Sequence, residues 1–423
     1  MPSLKTRFKK KFVEAIVFLF DHLSYSFIQK LGYLLGSLLY YGFAKYRKRV
    51  LSNLSLAKDL NLNEKDLKKT AIASLRSLAT AFLEFPKFYH EKEIQNIAYC
   101  KNPEVAKKFI DQGQGVIFFC AHQANWELFF LEGCSRMPGV AIGRKQNDQT
   151  FYDFVLKVRT RFGGKIIEPK NAMKEGVKAL KEGKFLGIVG DQGMPESAFK
   201  SNFLGALAHS TTAPALLSYK TQSPMIVAMM TRKEGRYEIT YSEPLIPDYT
   251  KPLKEEVHRL TIASLNLLEE SIKQNPSEWL WIHNRFKLET AQNVFYPFRH
   301  DTILIAVNSM KKIRQDLIKT LYPKASIYYY SLDLTDLENE TIKVIDSNLS
   351  LPKDYRFKFV INLTEIKKIS LHFKKLAAIK VLNCSNLDQI IKKRGFGLPK
   401  QFDEKIILAL ARNPLEILKT YAM

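Results

Sequence analysis

The segment His122-Gln-Ala-Asn-Trp-Glu127 sets an imidazole and a carboxylate five residues apart, across a change of pattern. The apolar run Val116-Ile-Phe-Phe-Cys-Ala121 ends at the histidine, and a second apolar stretch, Leu128 to Leu131, starts after the glutamate. That pattern reads as strand, turn and helix, with the polar residues gathered in the turn. In a straight helix, residues five apart stand about 140° round the axis and do not meet. Across a strand-to-helix corner they can. A glutamate beside an imidazole fixes one tautomer and stabilises the imidazolium, which makes the histidine a general base near neutral pH. The same pair also suits a core-edge histidine followed by a glutamate that favours the helix dipole, and spacing alone does not separate the two. No metal is expected, because the spacing lacks the i, i+4 geometry of His-Glu-x-x-His and no third ligand lies near.

The elements that must position these residues alternate. Strands are expected at Val116–Ala121, Val140–Ile142, Lys165–Ile167, Phe185–Val189, Met225–Met230 and Tyr237–Tyr241. Helices are expected at Trp126–Cys134, Asp148–Phe162, Lys174–Glu182, Ala213–Tyr219 and Glu255–Lys273. The expected fold is α/β, a mostly parallel mixed sheet flanked by helices, with active residues at the C-terminal strand ends. His122 and Asp191 both sit at such ends. Residues 50–110 read as helical, with Asn63–Phe85 in helical period before Pro86. After Pro297 five further short strands (Thr302–Val307, Ser326–Tyr330, Ile342–Ile345, Phe357–Ile361, Ile379–Leu382) suggest a smaller Rossmann-like unit. The expected division is 1–50, 51–297 and 298–423.

The 423 residues carry a net charge of +23, with 46% hydrophobic and 25% charged residues, values of a globular chain with an anionic partner. No zinc-finger spacing, RNP-like aromatic motif or basic heptad region supports nucleic acid as that partner. Cys100, Cys120, Cys134 and Cys384 show no C-x-x-C spacing, which fits a reduced compartment. Residues 1–50 hold ten Lys/Arg against two acids. Lys5, Arg7, Lys9, Lys10 and Lys11 precede Phe12–Phe20, and Lys45-Tyr-Arg-Lys-Arg49 closes the segment. The longest clean apolar stretch, Leu31–Ala44, is shorter than the ~20 residues of a spanning helix. An interfacial or tilted anchor on anionic lipid is therefore expected, with a single span or a soluble helical hairpin as alternatives.

Six segments in order resemble the late acyltransferases of lipid A biosynthesis, the lauroyl/myristoyl transferase type. They are Tyr46-Arg-Lys-Arg-Val-Leu-Ser-Asn53-Leu54, the His122–Glu127 turn, Gly143-Arg144-Lys-Gln-Asn147, and Val158-Arg159-Thr-Arg161-Phe162-Gly163. Asp191-Gln192-Gly193, with Asn202-Phe-Leu-Gly205 and Thr211-Thr-Ala-Pro214, follows, and Trp279-Leu-Trp281-Ile-His283-Asn-Arg285-Phe286 closes the set. The resemblance spans roughly residues 28–290. It implies acyl transfer from an acyl carrier protein thioester to a hydroxyl of a phosphorylated glycolipid, a lipid A precursor, at the cytoplasmic face of the inner membrane, with no cofactor. His122 is then the base and Glu127 its orienting acid, a triad logic without the serine. Asn125, or a backbone N–H beside Trp126, is the candidate oxyanion donor. Arg144, Arg159, Asp191 and Arg285 are candidates for holding substrate, Arg144 and Arg159 for phosphate. Another glycolipid or a lysophospholipid as acceptor, or a non-enzymatic basic membrane adaptor, stays open. The segment from Thr302 to Tyr328 faintly resembles half of a heptosyltransferase-type glycosyltransferase. Its first loop lacks the glycine that close phosphate approach needs, so a non-catalytic role is expected.

Overall fold

The computed structural model describes residues 4–421 apart from Pro195, Ala198, Thr290 and Ser347. The chain forms two compact units, one of residues 1–42 with 69–283 and the other of 43–68 with 284–423. The N-terminal helices are α1 (Leu4–Asp21), α2 (Tyr25–Gly42), α3 (Ala44–Leu56) and α4 (Glu64–Glu84). Strands and helices then alternate as β1 (Ala98–Cys100), α5 (Glu104–Asp111), β2 (Val116–Cys120), α6 (Glu127–Cys134), β3 (Gly139–Ile142), α7 (Gln149–Arg159), β4 (Lys165–Ile167), α8 (Ala172–Lys181) and β5 (Phe185–Val189). The hairpin β6 (Lys200–Phe203) and β7 (Ala206–His209), α9 (Ala213–Thr221), β8 (Met225–Lys233), β9 (Arg236–Tyr241) and α10 (Leu253–Gln274) complete the first unit.

Its sheet runs β1-β9-β8-β2-β5-β3-β4. β2 lies at the centre and is buried at all five residues, as a parallel strand covered on both faces must be. Every pairing is parallel except β8 with β9. That reversal has a local cause, since Glu234 (φ 49°) and Gly235 (φ 81°) form a two-residue turn between Lys233 and Arg236. Leu204 and Gly205 turn the β6–β7 hairpin, which the sequence pattern did not reveal, in the same way. In the β2–β5 register Cys120 faces Val189, so His122 and Asp191, each two residues on, leave the sheet level with one another.

α2 lies close against α4. A Cβ on Gly36 would come within 2.3 Å of the Arg76 Cα, and one on Gly32 within 2.6 Å of the Thr80 Cα. The opposite side of α2 is apolar and exposed, with Phe27, Leu34, Leu38 and Tyr41 at helical spacing; α1 likewise exposes Phe8, Phe12 and Leu19. No helix among the described residues is long and apolar enough to cross a membrane.

The second unit contains β10 (Thr302–Val307), α11 (Gln315–Leu321), β11 (Ser326–Ser331), β12 (Ile342–Val344), β13 (Phe359–Asn362), α12 (Lys367–Lys375), β14 (Lys380–Asn383), α13 (Cys384–Lys393), α14 (Phe402–Leu410) and α15 (Pro414–Tyr421). Its all-parallel sheet, β12-β11-β10-β13-β14, extends on both sides of β10 and is wider than a single Rossmann half. At the end of β10 the Met310 N–H donates to the Asp336 carboxylate at 2.7 Å, so an internal acid occupies the position of a phosphate acceptor. α3 belongs here through Ser52 Oγ donating to the Arg356 carbonyl (2.9 Å) and Lys48 Nζ to that of Ala378 (2.7 Å).

Because backbone stands where a Cβ would go, Gly36→Leu is expected to cost about 1–3 kcal/mol. Denaturant unfolding should show a lower midpoint, while Leu38→Ala on the exposed side leaves it nearly unchanged.

Candidate active site

The ends of β2 and β5 meet through one carboxylate. The His122 backbone N–H donates to Asp191 Oδ2 at 2.9 Å, and His122 Nδ1 lies 2.7 Å from Asp191 Oδ1. The Trp279 indole N–H donates to Oδ2 at 2.7 Å. An ionised aspartate only accepts, so Nδ1 carries a proton in both states of the ring, and Nε2 has its lone pair free when the ring is neutral. Gln192 Nε2 stands 3.4 Å from that nitrogen. Gly190 permits the approach, since a Cβ there would meet the Phe119 ring at 2.2 Å.

Burial pulls the His122 pKa down, but the charge and hydrogen bond of Asp191, helped by the charge of Glu127, hold it above its ordinary value. Burial likewise pushes Asp191 up, and the facing imidazole, the Trp279 N–H and the His122 backbone N–H bring it down to about 2. The ion pair therefore stabilises the fold most fully between the ordinary carboxylate and imidazole ranges. Its contribution fades as pH falls toward 2, and again as pH rises through the elevated histidine value.

Glu127 is not the acid on the imidazole. Its carboxylate accepts from Arg159 Nε (2.8 Å) and Nη2 (2.6 Å), a two-pronged pair that is largely buried. Arg159, expected at phosphate, thus directs two of its three nitrogens at a neighbouring side chain. The charge of Glu127 still reaches the imidazole through space.

Every residue between His122 and Glu127 is fixed. The buried Gln123 amide donates to Ser271 Oγ at 2.9 Å. Ala124, with the left-handed φ of 49° that a non-glycine rarely adopts, donates its N–H to the Glu278 carbonyl at 2.6 Å. Asn125 Nδ2 donates to the buried Glu84 carboxylate at 2.8 Å, which leaves Oδ1, an acceptor, as its unpartnered atom. That orientation removes the Asn125 amide as a ready oxyanion donor. Glu84 also accepts from Tyr237 (2.6 Å) and Gln29 (2.8 Å). The Trp126 ring meets His122 edge-on, with centroids 5.1 Å apart.

These groups border a cavity of about 340 Å³ whose wall includes His122, Asn125, Trp126, Glu127 and Arg159 together with Phe82, Phe85, Phe151 and Phe154. Arg144 is exposed on the loop after β3, two residues before Gln146 of the cavity wall. Arg285 is fully buried and belongs to the second unit, so a phosphate would reach it only by uncovering it. Trp279 and Trp281 lie outside the named strands, Trp279 in an isolated antiparallel bridge to Gln123 and Trp281 in the turn after it; they pack edge-on at 4.5 Å, both buried.

Residues 4–288 match the model of the bacterial lipid A biosynthesis acyltransferase family. The chain belongs to that family. It is 24% identical over 279 residues to the lipid A biosynthesis lauroyltransferase of Escherichia coli (strain K12), covering 64% of this chain and 89% of that protein. The lipid A biosynthesis palmitoleoyltransferase of the same strain and a lipid A biosynthesis acyltransferase of Shigella flexneri are each 26% identical over 280 residues, with the same coverage. The family resemblance expected from the sequence motifs therefore holds, and this acyltransferase carries a second parallel sheet beyond the matched region.

Sequence spacing placed Asp191 at a strand end but did not connect it to His122. It also gave no notice of Glu84, Ser271 or Glu278, whose partners are remote in sequence.

Asp191→Asn should lower the His122 pKa below its ordinary value, because burial then acts without the facing charge. NMR titration of the imidazole reads this directly, and an unmoved titration would mean that another group holds the ring.

Proposed function

We propose that this acyltransferase moves a fatty acyl chain from an acyl carrier protein thioester to a hydroxyl of a phosphorylated lipid A precursor, with His122 as general base. The observation that carries the reading is the Nδ1–Asp191 contact, which makes Nε2 the basic nitrogen of the neutral ring, at the wall of an aromatic-lined cavity. Nε2 takes the proton of the acceptor hydroxyl, whose oxygen attacks the thioester carbonyl carbon. The tetrahedral intermediate collapses, the carbon–sulfur bond breaks, and the imidazolium returns its proton to the departing thiolate. Asp191 orients the ring throughout, and Glu127, held by Arg159, adds negative charge that favours the imidazolium. With the Asn125 amide turned to Glu84, the oxyanion falls to a backbone N–H beside Trp126, ahead of Leu128 and Phe129, whose N–H groups already donate to the Asn125 and Trp126 carbonyls. The thioester supplies the activated acyl group, so no cofactor enters.

Arg144, exposed beside the cavity, suits a phosphate of the acceptor or of the donor's pantetheine arm. The basic chain suits an acidic carrier protein and an anionic leaflet alike. The exposed apolar faces of α1 and α2, with Lys10 and Lys11 exposed on α1, support a seat on the inner membrane's cytoplasmic surface. Phe82 and Phe151, both exposed and both in the cavity wall, would lie open to the same layer.

With acyl carrier protein thioester and a tetra-acylated phosphorylated disaccharide, His122→Ala and Asp191→Asn should each reduce transfer by roughly 10²–10⁴. The wild-type kcat/KM should climb with pH through an inflection above the ordinary imidazole value, and Asp191→Asn should move that inflection down. Transfer to lysophospholipid alone would overturn the acceptor, and unchanged lipid A mass spectra in a His122→Ala strain would overturn the enzyme reading. Sedimentation with phosphatidylglycerol vesicles checks the membrane seat. Leu34→Gln with Leu38→Gln should weaken binding by roughly tenfold or more, since each buried leucine is worth ~1.5–3 kcal/mol.

A further inference from the structure

The catalytic cavity is not the only space beside its aromatic wall. A cleft of about 290 Å³ lies between α1 and α7 and shares Pro86, Phe151 and Phe154 with the 340 Å³ cavity that holds His122. Its remaining lining comes largely from α1, through Phe12, Val13 and Ile16. The Lys9–Asp148 ion pair also borders it, joining α1 to the first residue before α7. Phe154 stands in the wall common to both, with Phe85 edge-on at 5.7 Å and Tyr89 stacked at 5.8 Å.

An extended apolar group attached at the reacting carbonyl needs a continuous apolar path away from His122. Among the described residues, two spaces beside it can be compared. The void behind Trp126, between α6 and the sheet, measures only about 50 Å³. That is less than a fifth of the α1–α7 cleft, too small for a chain without displacing packed core. The α1–α7 cleft is several times larger and adjoins the cavity across three side chains.

We propose that the transferred fatty acyl chain runs from His122 past Phe151 and Phe154 into the α1–α7 cleft, and that Phe12, Val13 and Ile16 of α1 set its preferred length. This rests on the acyl-transfer reading given above. The occupant proposed is the donor's chain, because that chain is joined to the carbonyl that His122 serves and the cleft shares Pro86, Phe151 and Phe154 with the cavity of His122. α1 then serves both the lipid and the chain being moved, with the exposed Phe12 at the edge between them.

The test is competition between 10-, 12-, 14- and 16-carbon acyl donors. Ile16→Trp should shift the preference toward shorter chains, changing the ratio of kcat/KM for the 16- and 10-carbon donors by roughly tenfold or more, since one methylene is worth about 10–200-fold in a fitted pocket. Ala141→Phe, beside the small void, should leave that ratio unchanged. The reverse pattern would overturn the proposal, as would a raised acceptor KM with an unmoved donor profile, which would assign the cleft to the acceptor's chain. A second measurement needs no turnover. Phe12→Trp adds an indole in the cleft to the three native tryptophans, and a 16-carbon acyl-pantetheine thioether brominated near its chain end should quench the added fluorescence. Quenching of the native signal alone would place the chain elsewhere and refute the cleft. Failure of any donor to bind or react would instead refute the acyl-transfer reading beneath it.

Discussion

One buried carboxylate organises this acyltransferase. Asp191 accepts from the His122 imidazole, the His122 backbone and the Trp279 indole, and so joins the ends of two central strands to a turn far along the chain. A buried anion with three donors stays ionised, and an ionised acid is what fixes the imidazole tautomer. The site's chemistry and the local fold therefore depend on the same charge. Glu127 and Arg159 form a second, separate pair at the same cavity, near enough to influence the ring through its field without touching it.

The turn between those strands and α6 is held from outside itself. Ser271 on α10, Glu278 beyond it and Glu84 at the end of α4 each grip one residue of His122–Glu127. Such bracing lets Ala124 keep a left-handed backbone that would otherwise relax.

What the sequence made legible follows from how local each cause is. Phe185–Val189 and Thr302–Val307 were readable to the residue, because strands covered on both faces must be apolar throughout. The helices α4, α7 and α10 were readable from their period. The His122–Asp191 partnership was not, because it is set by strand register across 69 positions rather than by spacing. Glu127 looked like the partner because it is near in the chain, and Arg159 claims it in space. The direction of the Asn125 amide depends on Glu84, which no local pattern connects to it. Arg285 sits in a run of suggestive residues, yet only the packing reveals that it is fully buried. The β8–β9 reversal was in principle readable from Glu234-Gly235, a turn pair between two apolar runs.

The second unit is assembled from two separated stretches, 43–68 and 284–423, and this has a consequence for how the protein is made. α3 buries Val50, Leu51 and Leu54 along with the polar Ser52 and Asn53, and its companions are strands and loops near the far end of the chain. Synthesis proceeds at about 5–20 residues per second, so roughly three hundred intervening residues keep α3 waiting some fifteen to sixty seconds. During that interval its apolar side has only chaperones or the membrane surface to cover it. The C-terminal sheet is thus no detachable appendage, because a ribosome that stops before it leaves an early helix without its partner.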